Sequence, residues 1–222
     1  TQSGVLSHKI ESLHVLMDIL KTAHATMPED LRPVLGDDSK TRLSFPEINS
    51  TIFCSLSIRS TALHNLHISE WALCEDSEVR ASLGAVGTKG NVTGETTGNG
   101  ITNDFYTTYQ DAKKRDNSYR QRFLPWYFQE DYRLPVLSPV VRSAKEKELT
   151  AQAMKDYDET IGDAQILFRR YKQKELKESF PPEFPETEED AFFTTGQTFF
   201  NTRKMSVLYA EALDWEKQNG HI

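Results

Sequence analysis

The chain has 222 residues, 33 acidic against 26 basic, for a net charge of −7 and a sequence pI near 5.4. That length buries a real core, and a 37% hydrophobic content with a mean hydropathy of −0.58 describes a soluble chain carrying much polar surface. No apolar run approaches the roughly 20 residues of a membrane span, no signal peptide opens the sequence, and the acidic balance excludes a protein that coats nucleic acid with its whole surface.

Leu6, Ile10, Leu13, Leu16, Met17 and Leu20 recur at three- and four-residue spacing and predict an amphipathic helix that starts almost at Thr1, with no strand before it, and ends near Met27 and Pro28. Arg42–Phe45 and Thr51–Ser57 are β-prone runs around Pro46–Ser50 and predict a hairpin. Leu63–Ile68 then predicts a buried strand delivering Ser69 and Glu70 at its carboxyl end, where open α/β sheets place ligand chemistry. Glu70 reads equally as a catalytic acid beside a nucleotide phosphate and as the first-turn acid of a helix over Trp71–Leu83.

Residues 84–100, GAVGTKGNVTGETTGNG, hold six of the eleven glycines. They do not match the phosphate-binding pattern G-x-x-x-x-G-K-[ST], because Lys89 is followed by Gly90. The stretch instead predicts a turn at GTKG, a strand Asn91–Glu95, and a polar turn leading to Thr102 or Asn103 as the cap of a helix with Phe105, Tyr106 and Tyr109 on one face. Lys113, Lys114, Arg115, Arg120 and Arg122, interleaved with Tyr119 and Phe123, read either as a phosphate-backbone track or as a solvated helix end. The aromatic run FLPWYFQEDY, Phe123–Tyr132, predicts core or domain-junction packing. Beyond the prolines at 135 and 139, a helical region capped by Thr150 carries Met154, Tyr157 and Ile161, breaks at Gly162 and resumes through Tyr171. Its segment Arg169–Lys177 is a second basic face. Thr187 with Asp190 three residues on predicts a short capped helix burying Ala191 and Phe192, and a last helix is expected over Thr202–Trp215.

Cys54 and Cys74 lie in apolar segments, which predicts reduced core thiols in a cytosolic setting. His64 and His67, three apart on one strand, fall on opposite faces, so a shared metal is not expected, and no nucleophile signature occurs. A carboxylate-metal nuclease lacks further acids placed with Glu70 and Glu95. Two polar strand ends remain, Ser69-Glu70 and Glu95-Thr96-Thr97, in the order in which additional-strand P-loop ATPases carry a catalytic acid and a polar sensor.

The ordered succession LHNLHISEWA, ETTGNGITNDFYTTYQDA, RFLPWYFQEDYR and EFPETEEDAFFTTGQTFF resembles the large terminase subunit of tailed bacteriophages and prophages, the ATPase motor and nuclease of DNA packaging. The resemblance implies an α/β chain. Residues 1–140 would form the second part of a P-loop ATPase sheet of the additional-strand type with flanking helices, and 141–222 a small, mainly helical linker subdomain ahead of a nuclease domain. It assigns Glu70 as the Walker B catalytic glutamate and Glu95, Thr96 and Thr97 as the coupling motif. Ser69 takes a metal-facing position where many members have aspartate, a weaker Mg²⁺ contact. Arg59, eleven residues before Glu70, stands near the family's trans-acting arginine and reads equally as a hairpin-edge surface residue. Implied with these are ATP and Mg²⁺ in the complete protein, double-stranded DNA, a portal protein, a small terminase subunit, a homo-oligomeric ring and the host bacterial cytoplasm. No Walker A motif occurs in these residues, so the chain is expected to bind ATP poorly by itself. A second expectation is a non-catalytic DNA- or portal-binding module using the basic segments near Lys113 and Arg169.

Overall fold

A computed structural model describes residues 1–192 together with Leu208, Tyr209, Glu211, Ala212 and Trp215, which are helical; the rest of the predicted last helix and the FTTG end of its preceding stretch lie outside the described residues. The chain divides into two compact units, one of Thr1–Thr97 with Asn103–Phe105 and one of Gly98–Thr102 with Tyr106 onward. The division at residue 140 followed the motif succession; residues 106–140 pack within the second unit.

The first unit is a five-stranded mixed sheet flanked by helices: β1 (Gln2–Leu6), α1 (Ile10–Thr26), β2 (Arg42–Phe45), β3 (Ser50–Ser55), β4 (Leu63–Ser69), α2 (Asp76–Gly84) and β5 (Val86–Glu95). The order across the sheet is β2-β3-β1-β4-β5, with β2 antiparallel to β3 and the other neighbours parallel. The predicted hairpin is β2–β3 and the predicted buried strand is β4. The start of the chain corrects the sequence reading, since Gln2–Leu6 is the central strand and the helix begins only at Ile10. Val5 and Leu6 are buried by both neighbouring strands, a tertiary gain that outweighs the helical spacing Leu6 shares with Ile10.

α1 lays Leu13 and Met17 against Val5, Leu43, Phe45 and Cys54. The chain leaves β1 toward β3 on one side and β4 toward β5 on the other, so the direction of winding reverses between β1 and β4. The carboxyl ends of these two strands, at Leu6 and Ile68, are paired in register. An open α/β sheet presents a ligand crevice at that reversal. Register places Asn65, His67 and Ser69 on one face of β4, and Leu66 and Ile68 on the other. On the first face a polar row crosses three strands: Asn65 Nδ2 donates to Ser3 Oγ at 3.1 Å and Asn91 Nδ2 donates to Asn65 Oδ1 at 3.3 Å.

Two further expectations are corrected here. The GTKG turn lies inside β5, where the pairing jumps from Leu63↔Val86 to Asn65↔Asn91 and the extra residues bulge out of the ladder. The helix expected over Trp71–Leu83 is instead a 3₁₀ turn, Trp71–Leu73, an extended Cys74, and then α2.

α3 (Asp104–Lys114) begins in the first unit and continues in the second. The second unit holds α4 (Ala144–Tyr157), α5 (Asp163–Leu176), α6 (Phe180–Glu183) and α7 (Glu188–Ala191). Trp126, Tyr127, Ala153, Ile161, Ile166 and Phe168 form its core, with Tyr132 stacked on Phe168 at 4.8 Å, so the aromatic run packs as its composition predicts. α4 starts at a full capping box, Ser143 with Glu146, and Thr150 lies inside the helix with its hydroxyl donating back to Glu146 O. Among the described residues no helix is long and apolar enough to cross a membrane.

Candidate functional site

β4 ends on Ser69, and the next residue leaves the extended region abruptly: Glu70 has φ 53° and ψ 51°, the left-handed conformation that non-glycine side chains rarely adopt. The turn lets Trp71 fold down over β5, where it lies so close to Gly94 that a β-carbon there would collide with the indole ring. It also sends the Glu70 side chain toward the end of β5. There one carboxylate oxygen, Oε2, accepts three hydrogen bonds: from Thr97 N at 3.0 Å, Thr97 Oγ1 at 3.0 Å and Thr96 Oγ1 at 3.2 Å. The Thr96 hydroxyl also lies 2.6 Å from Thr97 O and accepts from Ala72 N at 3.3 Å. Having one proton, it donates either to Glu70 or to that carbonyl, whereas Thr97 donates through two independent hydrogens.

Ser69 and Glu95 are direct partners across β4 and β5, and His67 Nε2 lies 3.5 Å from Glu95 Oε1 on the same face. His67 chiefly, helped by the Ser69 hydroxyl and the Glu70 main-chain N–H, holds the Glu95 carboxyl below the usual carboxylate range against the opposing effect of burial. The Cys74 Sγ lies 3.7 Å from Ser69 O, and its thiol is pushed up to about 11, by burial first and then by the charges of Glu70 and Glu95.

The structure therefore brings Ser69, Glu70, Glu95, Thr96 and Thr97 together at one end of β4 and β5. Arg59 is elsewhere in its bonding: on the β3–β4 crossover its guanidinium is held by Glu78 of α2, Nη2 to Oε1 at 2.5 Å, with Nε also 3.2 Å from Ser57 Oγ. His67 and Cys74, read from sequence as unconnected residues, belong to the same cluster. The signal for His67 was parity, since it shares a strand face with Ser69 and, through register, with Glu95.

Among the basic candidates, Lys113 is bound to Glu188 at 2.5 Å. Lys114, Arg115, Arg120 and Arg122 are exposed. In the second basic stretch the charges are largely matched: Arg169 pairs with Glu186, Arg170 with Glu146 and Lys172 with Glu175. Among the described residues no group of three or more His, Cys, Asp or Glu side chains is placed to hold a metal ion.

No family model matches the chain, and no curated protein matches it. Among solved structures it is similar to the large terminase of a thermophilic bacteriophage. One crystal form gives a TM-score of 0.42 at 14% identity, with 52% of this chain and 31% of that one covered. A second form, in complex with ATP-γ-S, gives 0.39 at 18% identity over 52% and 30%. The chain thus spans less than a third of the length of those proteins.

Proposed function

We propose that this chain supplies the hydrolysis acid and the coupling turn of an ATP-driven DNA-packaging motor of the large-terminase kind. The observation that carries the reading is the clasp on Glu70 Oε2, two hydrogen bonds from Thr97 with the Thr96 hydroxyl beside them. A carboxylate fixed through one oxygen keeps the other for orienting an attacking water, and its two threonine partners are placed to register a change in that carboxylate. The four-motif succession supports the same reading.

In this motor Glu70 orients the water beside the γ-phosphate, and Thr96 and Thr97 pass the consequence to the turn that follows. Arg59 reaches a neighbouring subunit's nucleotide in a homo-oligomeric ring; its guanidinium is exposed and its partner Glu78 half-buried, and a phosphate can replace that partner. Ser69 is buried and its hydroxyl lies toward Glu95, so these residues make no Mg²⁺ cage, and the ion would arrive on the nucleotide phosphates. Double-stranded DNA, a portal protein and a small terminase subunit are the partners of such a motor.

Two measurements test the reading. Titrating Mg-ATP into the 222-residue chain is expected to give no tight binding, because the residues contain no G-x-x-x-x-G-K-[ST] loop; robust turnover by this chain would overturn the assignment. In a longer protein that carries this chain with such a loop, Glu70→Ala is expected to abolish hydrolysis while nucleotide binding persists; unchanged turnover removes Glu70 from the role.

A second reading, a non-catalytic module that binds DNA or a portal-like partner, is favoured by one observation: Arg115, Arg120 and Arg122 are exposed and form no ion pair among the described residues. Retention on non-specific duplex DNA at low salt, lost when these three are neutralised, supports it, and indifference to DNA at low salt counts against it.

A further inference from the structure

Within the second unit, Phe128 and Tyr157 are 40% and 39% exposed, although each belongs to an otherwise well-packed element. Their rings stand edge to face, with centroids 5.2 Å apart and planes at 89°, so they form two walls of a corner at the surface.

Both walls are fixed from behind. Phe128 closes the 3₁₀ turn Trp126–Phe128, where its N–H donates to Pro125 O at 3.1 Å and Gln165 Nε2 donates to Tyr127 O at 2.9 Å. Tyr157 ends α4, where Asp158 turns left-handed at φ 56° and its N–H returns to Met154 O at 3.1 Å. The buried Tyr127 ring lies against the pair, 5.7 Å from Phe128 and 6.4 Å from Tyr157.

The corner stands in a negative field. It sits at the carboxyl end of α4, the negative pole of that helix. Burial first, and then Glu188 and Asp156, push the Tyr157 hydroxyl up against the opposing Lys113, which Glu188 binds. Burial, Tyr157, Asp156, Glu186 and Glu159 do the same to Tyr127. Such a place repels a phosphate and draws a cation, and aromatic faces add an attraction of their own for cations. A guanidinium fits two walls better than an ammonium does, because it is planar, stacks on a ring and gives up its hydration more readily. Met154, 43% exposed and three residues before Tyr157 on α4, extends the apolar surface for the methylenes of an arginine.

We propose that the Phe128–Tyr157 corner is a docking site for an arginine side chain of a partner protein: the guanidinium stacks on the rings, and Asp156 at the end of α4 meets its charge. The site lies wholly within the second unit and does not depend on the role of Glu70.

A titration at low salt tests this on the 222-residue chain with ¹³C-labelled aromatic rings, the probe being a Gly-Ser peptide that carries two arginines. The Phe128 and Tyr157 ring signals are expected to shift and saturate. Replacing both arginines by citrulline, which keeps their shape and loses their charge, is expected to abolish the shifts. Phe128→Leu and Tyr157→Leu keep apolar bulk without an aromatic face, and each is expected to weaken binding about twofold to fivefold. Asp156→Asn, an exposed change, is expected to weaken binding and to flatten its salt dependence. Ring signals that stay still, that move equally with the citrulline peptide, or that move with duplex DNA instead of the arginine peptide overturn the proposal, as does unchanged binding in the folded leucine variants. Should those variants not fold, the citrulline peptide and Asp156→Asn decide, and unchanged binding in either overturns it.

Discussion

Glu70 holds a left-handed backbone that costs a side-chain-bearing residue on the order of 1 kcal/mol, and the clasp on its carboxylate offsets that cost. Glu70→Gly relieves the backbone and Glu70→Ala does not, while both lose the clasp. Glu70→Gly is therefore expected to be more stable than Glu70→Ala by about 1 kcal/mol in urea unfolding. Had the residue been a simple helix-opening acid, its φ would be negative and the order would reverse. Sequence supplied the residue and its two threonine partners, since an acid after an apolar strand and a Glu-Thr-Thr strand end are both local patterns. It could not supply the sign of φ, which depends on Trp71 packing over Gly94, a contact across 23 residues.

At the same scale, Glu146 is buried and its carboxyl is pulled down to about 2, by Arg170 first and then by Ser143, against desolvation. A depressed carboxyl stabilises the fold above its ordinary value near 4.5, and that stabilisation is lost as the pH falls from there toward 2. The contribution at neutral pH is roughly 3 kcal/mol. Glu146→Gln is expected to flatten the acid limb of the stability curve between pH 4.5 and 3, as measured by denaturant unfolding at each pH. Cys54, pushed up to about 11 by burial, is expected to react with iodoacetamide at pH 8 only on unfolding, which timed alkylation under native and denaturing conditions checks.

At the scale of elements, α4 shows how a cap is chosen. Ser143 Oγ accepts from Glu146 N and Glu146 Oε2 accepts from Ser143 N at 2.7 Å, so the cap sits seven residues before the threonine that composition favours. The Ser-x-x-Glu spacing was present in the sequence, and the intervening Ala-Lys lacks the apolar periodicity by which helices are first noticed. Ser143→Ala is expected to cost about 1 kcal/mol by thermal unfolding. The opposite case is Thr187, whose cap on α7 follows the sequence reading directly. β1 was illegible for a physical reason: a five-residue strand in the middle of a sheet is stabilised by partners 49 and 62 residues away, and its own residues carry no alternation.

For the whole molecule, the charge of −7 sets the terms on which any polyanion is approached. Three cations of the second basic stretch are matched by Glu186, Glu146 and Glu175, so the exposed Arg115, Arg120 and Arg122 meet a phosphate backbone in a field that is repulsive overall. Duplex DNA binding, where it occurs, is expected to fall steeply with salt, and removing Arg120 or Arg122 is expected to lower the slope of log K against log salt by about one for each residue, measured by fluorescence anisotropy across a salt series. The order of strands was legible only in part. β4 and the hairpin follow from their own patterns, whereas the reversal of winding between β1 and β4, which locates the crevice, appears only once β1 is known to be a strand.

The amide row Ser3–Asn65–Asn91 has a consequence for how this sheet avoids assembling wrongly. Asparagine is a poor strand former, so the row lowers the intrinsic preference of β4 and β5 for extended structure. In return it makes the alignment of three strands nearly all-or-none. A slip of one residue would turn Asn65 to the apolar face of Leu66 and Ile68 and strand its amide without partners. Competing alignments of these parallel strands are thereby penalised during folding, when long-range pairing is slowest and hardest to correct.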